Sequence, residues 1–268
     1  MDKKLIVTDI DGTLISRRFK ILDSTKEEFS RLQKEGHIIA IASGRPAAGV
    51  MFYAKEIELD KYGGYVISFN GGRMLNTKTG KEICPDYLSK NILQKVQQYA
   101  IEHGLGAVTY DGDAIIQGTP ENIYMKLEKE VCRVEARYVE DFSSLDCNPP
   151  KAIISCDGEV AERHLPVIKE MLAEEAEVFR SEPFFIEIMP KGLDKAVAVK
   201  ELAQALGIGM ENTVCFGDGY NDVTMLAAAG IGIAMGNACD EAKAAAKFVT
   251  HSCDDDGIAY AIKNILRI

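Results

Sequence analysis

Positive charge is in short supply in this chain: 31 lysines and arginines face 41 aspartates and glutamates, a formal net charge of -10 over 268 residues. A sequence pI of about 5.0 argues against a broad nucleic-acid or anionic-membrane surface, while a local basic pocket for an anionic metabolite is compatible with it. No run of 18 apolar residues occurs, so no transmembrane helix is expected. The start, Met1-Asp2-Lys3-Lys4-Leu5, leads directly into strand-like sequence and lacks the apolar stretch and small-residue cleavage site of a secretory signal. Cysteines are few, odd in number and scattered: Cys84, Cys132, Cys147, Cys156, Cys215, Cys239 and Cys253, with no C-x-x-C pair. That argues against a disulfide framework or a zinc ribbon, and the expected home is the cytoplasm. The histidines His37, His103, His164 and His251 are dispersed and carry no metal-ligand spacing, so zinc is not expected. Internal repeats and low-complexity tracts are also missing.

What is present is 47% hydrophobic residues, ample for a large core in one or two domains. Apolar runs alternate with helical stretches, the pattern of a parallel sheet covered on both faces. Strands are expected at Lys4–Thr8, His37–Ala42 and Tyr65–Phe69. Helices are expected between them, one capped by Asp23 or Ser24 and one with Pro46 at its first position. The alternation returns after Lys191, with a helix over Asp194–Leu206 and strands at Thr213–Phe216, Ile231–Met235 and Phe248–Thr250. Helices over Tyr220–Ala229, near Asp240–Lys247 and from Asp256 complete it. The stretch between the halves has strands and helices of its own and reads as an inserted α+β domain. The expected fold is therefore α/β, a Rossmann-like doubly wound, mostly parallel sheet from residues 1–83 and 190–268, with an insert over 84–189.

The chemistry starts at Leu5-Ile6-Val7-Thr8-Asp9-Ile10-Asp11-Gly12-Thr13. A short apolar strand runs into two carboxylates spaced by two, at the strand end where open α/β sheets bind ligands. Asp11-Gly12 alone would equally finish a strand as a plain turn. Three further places stand at strand ends or helix starts: Ser43, Lys195 and the pair Asp218 and Asp222. Each has an ordinary alternative: a helix cap, a solvated lysine, a Gly-Asp-Gly turn or acidic residues at a helix start. Together, four carboxylates in one cleft call for a divalent cation and an ammonium, and hard oxygen ligands suit Mg²⁺. A phosphoryl group fits that inventory, with Ser43 and the N–H groups of Gly44 and Arg45 as its cradle.

The order of these places resembles the haloacid dehalogenase-like hydrolases, and among them the Cof-type sugar-phosphate phosphatases. Asp9-Ile10-Asp11-Gly12-Thr13 looks like the family's first motif, Ser43 its second, Lys195 its third and Gly217-Asp218-Gly219-Tyr220-Asn221-Asp222 its fourth. Phe69-Asn70-Gly71-Gly72, Ala234-Met235-Gly236-Asn237-Ala238 and Asp256-Gly257 are similar to further stretches of that subfamily, with Gly72 where alanine is common. The resemblance implies that the insert is a substrate-selecting cap and that the reaction is phosphate-monoester hydrolysis through an aspartyl-phosphate. Asp9 would be the nucleophile and Asp11 the general acid and base. Ser43, Gly44, Arg45, Asn70 and Lys195 would contact substrate. Mg²⁺ would sit on Asp9, Asp218 and the Asp11 carbonyl, with Asn221 and Asp222 in its outer shell. The implied partner is a small phosphorylated metabolite, with no nucleic acid and no membrane, and no oligomeric state is implied. A phosphomutase and a non-catalytic phosphometabolite-binding protein are the alternatives. Tyr110, Asp111, Asp113, Arg180 and Glu187 are candidate polar groups of the insert, although such residues are more often solvated surface.

Overall fold

The computed structural model describes residues 3–83, 88–112, 114–132, 134–146 and 149–268. Asp113, Asn148, Cys84 and Cys147 lie outside the described residues. The chain divides into two compact units, Met1–Cys84 with Asp194–Ile268, and Pro85–Leu193. The last strand of the second unit runs to Pro190, paired with Ala176, and the unit itself extends to Leu193.

The first unit opens with β1 (Leu5–Thr8), α1 (Asp23–Lys34), β2 (Ile38–Ala42), α2 (Ala47–Glu56), the single turn α3 (Leu59–Tyr62) and β3 (Tyr65–Ser68). Two short strands follow, β4 (Arg73–Asn76) and β5 (Glu82–Ile83). In the second unit come α4 (Lys90–Glu102), β6 (Gly106–Asp111), β7 (Ala114–Gln117), α5 (Ile123–Cys132) and β8 (Ala136–Tyr138). It ends with β9 (Ala152–Ser155), α6 (Gly158–Met171), β10 (Ala176–Glu182) and β11 (Phe185–Pro190). The chain then returns to the first unit through α7 (Lys195–Ala205), β12 (Thr213–Gly217), α8 (Val223–Ala228), β13 (Ile231–Ala234), α9 (Asp240–Ala245), β14 (Phe248–Val249) and α10 (Gly257–Tyr260).

The strand order of the first unit is β14-β13-β12-β1-β2-β3-β4-β5, with β14 through β3 parallel and β4 and β5 antiparallel at the edge. Leu5 of β1 lies beside both Thr213 and Ile38, so β1 is central and sealed on both sides. Its Leu5, Ile6 and Val7 are fully buried, as a parallel strand between two helix layers requires. Phe29 and Leu32 of α1 and Val199 and Leu202 of α7 belong to the same core. The chain proceeds outward from β1 in one direction and from β12 in the other. The order reverses between them, and the carboxyl ends of these two strands flank the crevice where such sheets bind ligands.

The second unit is a six-stranded sheet in the order β10-β11-β9-β6-β7-β8, antiparallel except for the β7–β8 pair. Alternate residues Ala107, Ile154, Ile186 and Ile188 share a core with Leu93 and Val96 of α4 and Ala161 and Ile168 of α6, the period-two pattern of a sheet covered by helices. The architecture is thus the doubly wound α/β sheet with an inserted α+β unit that the alternation implies.

Local differences have local causes. Neither Asp23 nor Ser24 caps α1: the N-cap is Leu22, Asp23 lies in the first turn, and the Ser24 hydroxyl donates to Asp256 from the distant C-terminal segment. Pro46 is the residue before α2 rather than its first residue, with ψ at 155°. The helix expected over Tyr220–Ala229 begins as a 3₁₀ turn, Tyr220–Asp222, because the Asp222 carboxylate is drawn back to the preceding loop. Elements without a strong sequence signal, β4, β5, α5, β8 and β10, exist through pairing or packing with neighbours.

Candidate active site

The parallel strands of the first unit deliver the functional side chains from their carboxyl ends: Asp9 after β1, Ser43 after β2, Asn70 after β3, Asp218 after β12 and Asn237 after β13. Asp9 is held by backbone bonds in both directions. Its N–H donates to Phe216 O at 3.0 Å, and its carbonyl accepts from Leu14 N at 3.2 Å. The turn that follows needs Gly12, whose φ is +75°. A Cβ there would stand 2.2 Å from Asp218 Oδ2, so glycine lets the first and fourth motifs touch.

Lys195 is the centre of the site. It opens α7, capped by Asp194, whose Oδ1 accepts from Val197 N at 2.8 Å. A lysine at a helix start opposes the helix dipole, and this one is fully buried as well. Its ammonium donates to Asp9 Oδ1 at 2.6 Å and to Asp222 Oδ1 at 2.7 Å. Asp222 is itself fully buried, and its second oxygen accepts from the backbone N–H groups of Asp218 (2.9 Å) and Gly219 (3.0 Å). Both oxygens of Asp222 are therefore committed to holding the lysine and shaping the loop.

Asp218 is positioned by two groups to which the sequence reading gave no role. Thr13 Oγ1 donates to its Oδ1 at 2.8 Å, and Asn237 Nδ2 donates to its Oδ2 at 3.2 Å and to Gly12 O at 2.8 Å. The position of Asn237 in a Gly-Asn loop at the end of a strand is the signal that could have found it. Asn70 is buried in a left-handed conformation (φ 52°) and accepts from Asn221 Nδ2 at 3.0 Å, linking the loops after β3 and β12. Gly44 is small enough for that amide to approach: a Cβ there would lie 3.2 Å from Asn70 Nδ2. Ser43 is buried, and its hydroxyl accepts from Arg45 N at 3.2 Å.

One carboxylate oxygen from each of Asp9, Asp218 and Asp222 lies within 4.8 Å of the others. Burial drives the Asp9 carboxyl well above the ordinary carboxylate range; Lys195 pulls it down, and Asp222 pushes it up again. Asp218 is raised to about 6, by burial first, with Thr13 opposing and Asp222 adding to it. Burial disfavours the Lys195 ammonium, but Asp222 and Asp9 more than offset this, and its pKa is raised. Three carboxylates against one ammonium leave a net negative charge that a cation would relieve. The oxygens of Asp9 and Asp218 are of the hard type that divalent cations take. Asp11 is not in this cluster; its carboxylate is turned to Arg45.

The family profile of the haloacid dehalogenase-like hydrolases matches residues 6–262. The chain belongs to this family. Within it, the chain is of the Cof type and is a phosphatase of that superfamily. This hydrolase is 31% identical over 265 residues to YxeH of Bacillus subtilis strain 168, named as a candidate phosphatase, with 98% of each chain covered. Among solved structures it is similar to a haloacid dehalogenase-like hydrolase from Bacteroides thetaiotaomicron. That likeness has a TM-score of 0.92 and 33% identity and covers 98% of this chain and 100% of the other. The subclass IIB sugar phosphatase BT4131 aligns with TM-score 0.84 and 28% identity, over 99% of this chain and all of its own.

The candidate polar residues of the insert separate in the structure. Tyr110 and Glu187 are buried rather than solvated: the Tyr110 hydroxyl donates to the buried Glu128, and Glu187 lies 3.4 Å from the buried Lys151 ammonium. Burial and Glu128 push the Tyr110 phenol well up. Asp111 is paired with Arg137 at 2.6 Å, and Arg180 donates to Pro183 O at 2.7 Å and lies 3.1 Å from Glu162. Among the described residues, no helix is long and apolar enough to cross a membrane.

Proposed function

We propose that this phosphatase is Mg²⁺-dependent and hydrolyses small phosphorylated metabolites, sugar phosphates foremost, through an aspartyl-phosphate on Asp9. The observation that carries the reading is the buried Lys195 shared between Asp9 and Asp222, with Asp218 alongside. A carboxylate at the carboxyl end of a central strand, held by an ammonium, is a nucleophile whose charge is kept within a nearly closed site. Its unfavourable burial is offset by Lys195 in the resting protein, and the same ammonium can take a share of the charge on the transferring phosphoryl group.

Asp9 and Asp218, with the Asp11 carbonyl, would hold the Mg²⁺. When bound, the ion supplies positive charge that keeps these carboxylates ionised and neutralises phosphoryl oxygens. Asp222 would position Lys195 and the fourth-motif loop, and Asn221 would act through Asn70. The Ser43 hydroxyl and the N–H groups of Gly44 and Arg45 would bind the phosphoryl oxygens at the start of α2. One Asp9 oxygen would bond to phosphorus as the phosphorus–alkoxide bond breaks, Asp11 giving its proton to the departing alcohol. Asp11 would then accept a proton from the water that attacks the aspartyl-phosphate, restoring Asp9 and releasing inorganic phosphate.

The sugar-phosphate class is supported by the likeness to the subclass IIB sugar phosphatase BT4131. A reducing, cytoplasmic setting is supported by the free thiols of Cys132, Cys156, Cys215, Cys239 and Cys253. The test is phosphate release from a panel of sugar phosphates, nucleotides and aryl phosphates, with Mg²⁺ or with chelator, beside the Asp9→Asn variant. Metal-dependent turnover that the variant loses is expected, with a loss of more than about 10³-fold if Asp9 is the nucleophile. Chelated protein that keeps full activity, or a variant with substantial residual turnover, would remove this reading.

A further inference from the structure

Asp11 stands apart from the other motif carboxylates. Its side chain is 54% exposed, yet it is held by a two-bond fork: Arg45 Nε donates to Oδ2 at 2.9 Å and Nη2 donates to Oδ1 at 2.6 Å. Arg45 is the fixed partner, with a side chain only 14% exposed. Its guanidinium lies 5.8 Å from the ring centre of the buried Tyr53. Its backbone N–H donates to Ser43 Oγ at 3.2 Å, and its carbonyl accepts from Phe69 N at 3.1 Å. The exposed group is thus oriented by a cation that is itself anchored to the loops after β2 and β3.

We infer that Arg45 is a positioning residue for Asp11, setting where that carboxyl meets the leaving oxygen. This rests on the phosphatase reading above, in which Asp11 gives a proton to the alkoxide as its bond to phosphorus breaks and Asp9 bonds to phosphorus. Proton transfer needs the heavy atoms about 2.6–3.2 Å apart. An exposed aspartate with free side-chain rotation samples that geometry rarely. A guanidinium fork constrains both carboxylate oxygens at once, which a lysine ammonium, a point charge, does not. The oxygen of Asp11 that carries the proton keeps a lone pair that can still accept from its N–H, so both arms of the fork hold the carboxyl while the proton points at the leaving oxygen.

Leaving-group chemistry separates this role from a direct contact with the phosphoryl group. An alkyl phosphate needs a proton on its departing oxygen, whereas p-nitrophenyl phosphate releases a stabilised phenolate. Both present the same phosphoryl group. The experiment is kcat/KM, which covers the steps through alcohol release, for p-nitrophenyl phosphate and for the best alkyl phosphate of the panel. It is run with Mg²⁺ on wild type, Arg45→Met, Arg45→Lys, Asp11→Asn and the Arg45→Met/Asp11→Asn double variant, with melting curves for each.

Arg45→Met is expected to lower the alkyl-to-aryl ratio of kcat/KM by about 10-fold or more, part of the 10²–10⁴-fold that general acid catalysis supplies. The double variant is expected to be no slower on the alkyl phosphate than Asp11→Asn, and Arg45→Lys to recover little of the ratio. Equal losses on both substrates, multiplying with those of Asp11→Asn, would show that Arg45 acts on the phosphoryl group and overturn the inference. Recovery of the ratio by Arg45→Lys would overturn it too, since charge alone would then suffice. If Arg45→Met does not fold, Arg45→Lys and the Arg45→Lys/Asp11→Asn double variant take its place in the same cycle, with the same outcomes deciding. A wild type that turns over neither substrate would instead remove the phosphatase reading, and this inference with it.

Discussion

Replacing Lys195 by methionine keeps the length of the side chain and removes the ammonium that Asp9 and Asp222 share at 2.6 and 2.7 Å. Lys195 and Asp222 are fully buried and Asp9 is 6% exposed, so water does not take the place of the lost charge. Breaking a buried ion pair by deleting one partner costs about 3–5 kcal/mol, because the other partner stays buried and uncompensated. Here two carboxylates are left facing each other, which puts the expectation toward the upper part of that range at neutral pH. For a unit of this size, 1 kcal/mol moves the melting temperature by about 2–4 °C, so a drop of roughly 6–20 °C is expected. Two features tie the loss to charge. Lowering the pH lets Asp9, whose carboxyl burial already raises, take up a proton, so the gap to wild type narrows on acidification. If Mg²⁺ binds at this cluster as proposed, its positive charge is expected to narrow the gap as well. The assay is a melting curve of both proteins at pH 5 and pH 8, in chelator and in Mg²⁺. A variant that melts within about 2 °C of wild type at pH 8 in chelator would refute the reasoning, since the cost assigned to an unpaired buried carboxylate would be absent.

Gly12→Ala is expected to destabilise the protein by about 1–3 kcal/mol and to depress activity, because it combines a left-handed backbone with a Cβ 2.2 Å from Asp218 Oδ2. Chemical denaturation and the phosphate-release assay check both parts, and a variant equal to wild type in both would contradict the assigned contact. Asp218 supplies a pH dependence. Burial raises its folded pKa from the ordinary carboxylate range to about 6, so its contribution to stability is complete below the unfolded value and is lost as pH rises through about 6. In chelator, the melting temperature of wild type relative to Asp218→Asn is therefore expected to fall between about pH 4 and pH 7. A flat difference across that window would count against the buried, ionisable Asp218 described here.

The chemistry of the site was legible to different depths. Asp9 and Asp11 were visible because two residues after an apolar run are enough to define a strand end. The convergence of Lys195, Asp218 and Asp222 on Asp9 was an expectation about strand ends, and the structure places the four side chains together. Thr13 and Asn237 are not legible as partners of Asp218, since a threonine in a turn and an asparagine in a loop carry little signal alone. The Arg45 fork on Asp11 was likewise not readable. It depends on the loop after β2 bending toward the turn after β1, and residues 34 positions apart carry no spacing rule.

The sequence by itself determined the layered α/β plan, because fully apolar strands alternating with helical stretches leave a covered parallel sheet as the way to bury them. It also determined which residue types stand at the strand ends. Only the tertiary structure decided which of those groups touch: Lys195 between Asp9 and Asp222, Asn237 on Asp218, Asn221 on Asn70 and Arg45 on Asp11. It also decided the elements that exist only through neighbours, such as the edge strands β4 and β5 and the strand β10 that pairs with β11. The physical reason is range. Periodicity and capping act within a few residues and are written locally. Hydrogen bonds and ion pairs across the crevice act over less than 4 Å between residues up to 225 positions apart, and the folded sheet brings them together.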